Sequence, residues 1–150
     1  MNIIQELSMK IKWLCSNVFI VSSLVSLPNY AQQDVLTFKN TRGSILELKT
    51  LSDNKVEGYF TTAVASKSCP QAIGQKRPIT GYAVGNTVTF SVVYPGCGSV
   101  LSFSGNFTKK GNIIDTISIL THQAQDITHE GPGARFIGHD RFKKIAASNA

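Results

Sequence analysis

The stretch "GHDRF", residues 138–142, places a carboxylate, Asp140, two residues before Phe142. Residues i and i+2 of an extended segment share a face. A core-facing Phe142 therefore brings Asp140 inward too, where a carboxylate is costly unless something satisfies it. The same alternation puts Asn40, Ser44, Thr62, Ser99 and Ser118 on inward faces, interleaved with Phe38, Phe60, Tyr94 and Phe103. Polar groups converging on an apolar, aromatic-rich space make a small-molecule site. The same groups could instead satisfy one another or hold buried water. Residue types alone leave both readings open.

Other chemistries find less support. His122, His129 and His139 lack the tight spacing of a metal site and fall in or near loops, so no metal centre is expected. Ser118, His139 and Asp140 make a triad on paper only. Adjacent strand residues point to opposite faces, so His139 and Asp140 cannot both serve it. "GPG" at 131–133 is a turn and not a phosphate loop, because no strand–loop–helix context surrounds it. With no nucleophile–base pair, the chain does not read as an enzyme.

The elements that must position these residues are short alternating segments separated by turn residues. "DVLTFKN", "SILELKTL", "KVEGYFTTAVAS", "KRPITGYAV", "NTVTFSVVY", "GSVLSFSGNFT", "NIIDTISILTH" and "ARFIGHDRFKKI" succeed one another, mostly across short loops. Gly85-Asn86 is a tight hairpin signal. No segment keeps a 3.6-residue period over three turns. The expectation is an all-β fold, an eight-stranded antiparallel up-and-down barrel, which has no free edges to protect. A β-sandwich is the alternative. An eight-stranded barrel is wide enough to hold one small ligand or to be filled by side chains.

The first 31 residues read separately. Lys10 and Lys12 precede the short apolar run "WLCSNVFIVSSLVSL", and cleavage after Ala31 would leave a polar start. That pattern describes a secretory signal peptide, with residues 32–150 as the mature domain, secreted or periplasmic and free of the membrane. Cys15 leaves with the leader, so Cys69 and Cys97 remain, and in an oxidising compartment a disulfide between them is the default. Trp13, the sole tryptophan, also leaves. The mature chain carries 13 basic and 8 acidic residues, scattered rather than striped, which argues against nucleic-acid binding.

In order along the chain, the motifs resemble the avidin and streptavidin family. "FKNTRGS" is similar to that family's Trp-x-Asn-x-x-Gly-Ser, "GYFTTAV" to Gly-x-Tyr-x-x-Ala-Val, and "ITG" to Leu-Thr-Gly. "TVTFSVVY" resembles the strand ending in Trp, and "FSG" resembles Trp-Ser-Gly. "DTISIL" is similar to Thr-x-Trp-x-Leu, and "GHDRF" to the closing Gly-x-Asp-x-Phe. The cysteine positions are similar to those of the disulfide-bearing dimeric bacterial avidins. Tetrameric members carry a subunit-bridging Trp where Pro132 stands, so the resemblance implies a homodimer.

The implied ligand is biotin or a related cyclic urea, with no cofactor. Asn40 and Ser44 would hold the ureido oxygen, Thr62 and Asp140 the ureido N–H groups, and Ser66 and Ser99 the tail carboxylate. Departures weaken the match. Phe60 replaces a Tyr donor and Leu101 a Thr, while Tyr94, Phe103 and Ser118 stand in place of tryptophans. Affinity below that of typical avidins is implied. The alternative is a barrel of the same fold whose pocket is retuned to another molecule or fills itself, in a structural or interaction role.

Overall fold

Alternating apolar residues become eight strands in a computed structural model that describes residues 34–131 and 135–146. The expected leader and Pro132 lie outside the described residues. The strands are β1 (Leu36–Asn40), β2 (Ile45–Thr50), β3 (Lys55–Thr61), β4 (Lys76–Val84), β5 (Thr87–Tyr94), β6 (Ser99–Phe107), β7 (Ile113–His122) and β8 (Arg135–Ile145). A single helical turn, α1 (Ile127–Glu130), follows β7. Each strand pairs antiparallel with its sequence neighbours, and β8 returns to pair with β1, with Asn40 opposite Phe142. The ring is closed in strand order, which decides against the sandwich.

Turn chemistry sets these limits. Gly85, at φ +60°, accepts the left-handed backbone that the two-residue β4–β5 hairpin needs. The third strand is shorter than its alternation suggests. "GYFTTAVAS" leaves the ladder after Thr61 because the Thr62 N–H donates to the Gln75 carbonyl and the Thr62 carbonyl accepts the Gly74 N–H, closing a loop. A disulfide joins Cys69 in that loop to Cys97 in the β5–β6 turn, with Cα atoms 5.7 Å apart.

Inward positions fill the barrel. Phe38, Leu46, Leu48, Val56, Phe60, Ile79, Val88, Phe90, Val92, Phe103, Ile114 and Phe142 are all buried. Each large side chain so removed from water contributes about 1.5–3 kcal/mol. Around Phe103, the ring centroids of Phe90, Phe60 and Phe142 lie at 4.8, 5.4 and 5.5 Å. In this up-and-down ring the β1–β2, β3–β4, β5–β6 and β7–β8 connections share one end, which is the end that carries the site.

Candidate functional site

At that end the inward positions turn polar. Asn40 closes β1, Ser44 precedes β2, Thr62 follows β3, Ser118 lies on β7 and Asp140 on β8, all buried. They surround a cavity of about 360 Å³ that also touches Phe60, Phe103 and Ser66. Eight of the ten sequence-selected residues thus meet at one cavity. Tyr94 and Ser99, both buried, are not on its wall.

Asp140 is well supplied with partners. Asn40 Nδ2 donates to its Oδ1 at 3.0 Å and Ser118 Oγ to its Oδ2 at 2.8 Å. The Arg42 guanidinium lies 3.6 Å from Oδ1 through Nε. Thr116 Oγ1 donates to the Asp140 backbone carbonyl at 2.9 Å, fixing the strand from which the carboxylate projects. A buried carboxylate persists only with such a combination of charge and donors. Ser118 meets Asp140 directly, with no imidazole between them.

Asn40 also builds the turn it starts. Its Oδ1 accepts the backbone N–H of Arg42 at 3.1 Å and of Ser44 at 2.8 Å. One Nδ2 hydrogen then remains for the cavity. Ser44 Oγ accepts the Ala63 N–H at 3.0 Å, leaving its own O–H to donate. The polar corner therefore presents two donors, from Asn40 and Ser44, opposite the Asp140 acceptor.

Thr62 Oγ1 hydrogen-bonds the Tyr94 hydroxyl, so Tyr94 adjoins the site through Thr62. Burial raises the Tyr94 phenol above its ordinary value, opposed by the Thr62 hydrogen bond and the positive charge of Arg77. Either hydroxyl can donate in this pair, and the one that accepts keeps its own hydrogen for another partner. Ser66 is exposed and bonded to Ser68 Oγ at 2.9 Å.

Several wall residues escape a reading by residue type. Leu120 and His122 share the inward parity of Ser118, and Phe136 shares that of Asp140; extending the alternation to the strand ends would have found them. Arg42 gives no such signal, because a turn has no period. His139, expected in or near a loop, instead sits within β8, paired with Ile117 across the ladder. Its ring faces outward to Asp115 at 2.6 Å, on the side of the sheet opposite Asp140.

A family model described as the Avidin family matches residues 30–145. Among solved structures the chain is similar to core-bradavidin, at 24% identity and a TM-score of 0.63 over 75% of this chain and 100% of that one. It is similar to the bradavidin2–biotin complex, at 23% identity and a TM-score of 0.59 over 73% and 95%. Apo shwanavidin matches at 20% identity and a TM-score of 0.62 over 75% and 99%. At these identities the likeness to the solved structures is one of fold. No curated protein matches the chain.

Proposed function

The chain belongs to the avidin family, and from that premise we propose that its cavity binds biotin or a related cyclic urea without chemical change. The observation that carries this reading is the arrangement of Asn40, Ser44 and Asp140 around one aromatic-floored cavity. A ureido oxygen would receive the free hydrogens of Ser44 and Asn40, while ring N–H groups would donate to Asp140 and Thr62. Ser66 stands at the mouth for a carboxylate tail. Ser99, off the cavity wall, is a weaker partner for it.

Affinity falls below that of a fully furnished pocket. Phe60 has no hydroxyl to donate, Leu101 has none for a ring sulfur, and Ser118 supplies no aromatic wall. Each loss is worth roughly 1–3 kcal/mol. Together they cost ~3–9 kcal/mol, or about two to six decades. Titration of the purified protein with biotin in a calorimeter tests the reading. One site per chain is expected, and heat no larger than dilution would refute it.

Export and assembly complete the proposal. Residues 1–31 act as a leader, residues 32–150 form the secreted or periplasmic domain, and the Cys69–Cys97 disulfide suits that compartment. The outer faces of β6, β7 and β8 expose Val100, Ile117, Ile119 and Ile137, an apolar patch consistent with a homodimer. Light scattering should report two chains.

One observation favours a second reading. Both Asp140 oxygens already have protein partners, which suits a pocket retuned to a different molecule or closed on itself.

A further inference from the structure

Arg42 occupies a turn, yet it lines the cavity and its guanidinium pairs with Asp140. Two small neighbours let it in. Ser118 and Gly138 face each other across β7 and β8. A methyl group at Gly138 would lie 3.3 Å from Arg42 Nη2 and 2.9 Å from Ser118 Oγ. The guanidinium thus lies beside a shelf that a large residue at 118 or 138 would obstruct. Arg42 carries five N–H donors in a planar fork. Nε is the atom set toward Asp140, so the terminal nitrogens remain available to an occupant.

This changes what the corner recognises. A lone carboxylate accepts an N–H and repels oxygen. A carboxylate beside a guanidinium presents an acceptor and a donor together. A ring N–H with a carbonyl on each side fits that pair: one carbonyl meets Ser44 and Asn40, the N–H meets Asp140, and the second carbonyl meets Arg42. In a simple cyclic urea the second flanking position is a carbon that gives Arg42 nothing. We propose that Arg42 is a specificity-determining residue that selects cyclic imide or hydantoin-type heads over simple cyclic ureas. The inference rests on the reading of the cavity as a cyclic-urea site and names its ligand class more closely.

The test compares hydantoin with 2-imidazolidinone, by ligand-observed NMR titration, on the protein and on Arg42→Leu, with biotin titrated alongside. On the unaltered protein hydantoin should bind about tenfold more tightly, the factor that one charge-assisted hydrogen bond supplies. Arg42→Leu should erase that advantage, weakening hydantoin about tenfold more than 2-imidazolidinone, with circular dichroism unchanged. Equal affinities on the unaltered protein, a parallel loss of both probes in the variant, or no measurable hydantoin binding would overturn the inference. Biotin binding without hydantoin preference leaves the function standing and removes the role of Arg42. Hydantoin preference without biotin binding leaves the cyclic-urea site and the role of Arg42 standing and removes biotin as the ligand.

Discussion

Along β8 the inward positions run Phe136, Gly138, Asp140, Phe142, and along β7, from the same end, Leu120, Ser118, Thr116, Ile114. Both sequences pass from an apolar rim, Phe136 and Leu120, through a polar corner to an apolar floor without breaking alternation. The floor of Phe38, Phe90, Ile114 and Phe142 and the corner of Ser44, Ser118 and Asp140 are all buried, none of them more than 5% exposed. Burial therefore does not separate the two ends. What separates them is how the buried atoms are satisfied: dispersion and exclusion of water at the floor, directed hydrogen bonds at the mouth. No buried side-chain nitrogen or oxygen among the described residues lacks a partner.

The contrast is broken most severely from the floor. Phe142 packs against Phe103, Phe90 and Phe60, and Phe142→Ala should cost about 3–5 kcal/mol of stability by leaving a cavity. Denaturant unfolding measures it, and a change below about 1 kcal/mol would show that the floor is not the main support. Replacing Cys69 and Cys97 together by serine should cost somewhat less. Their link spans 28 positions, for which restriction of the unfolded chain predicts about 3–4 kcal/mol. That loss should appear as a lowered denaturant midpoint.

At the mouth, Asp140→Asn keeps the shape and removes the charge. Biotin affinity should fall by about 1.5–3 kcal/mol, read by calorimetry, with a smaller loss of stability than Phe142→Ala because Arg42 can turn to water. A variant that simply unfolds would make Asp140 a structural residue. The smallest effect is a pH dependence. The folded Tyr94 phenol titrates above 10.0, so below that pH both states hold the proton and its contribution is complete. Above it the unfolded chain releases the proton first, and stability declines as pH rises toward the folded value. Tyr94→Phe should reduce that alkaline decline, read by denaturant unfolding as the pH is raised through 10.0.

The floor was legible in the sequence because alternation and turn residues are local. Val88, Phe90, Val92 and Tyr94 announce their face within eight residues. Asp140, Thr62 and Ser118 were placed inward by the same parity. Arg42 was not, since its reach depends on Ser118 and Gly138, far along the chain and small. The end of β3 was hidden for a related reason: the bonds that draw Thr62 off the ladder come from Gly74 and Gln75. Gly138 is held in the strand by pairing with Ser118 across the sheet, a contact no single segment displays.

Every strand pair but one joins neighbours in sequence. The exception, β1 with β8, is a seam, and Asn40 and Asp140 stand on its two sides, 100 residues apart. Closing so long a stretch of chain costs about 4 kcal/mol in entropy, and the corner exists only once the ring has shut. A molecule gripping both residues acts as a clasp, adding its binding free energy to closure. Its presence should be written in the amides of β1 and β8, whose hydrogen exchange would slow more than that of the hairpins on the far side of the ring.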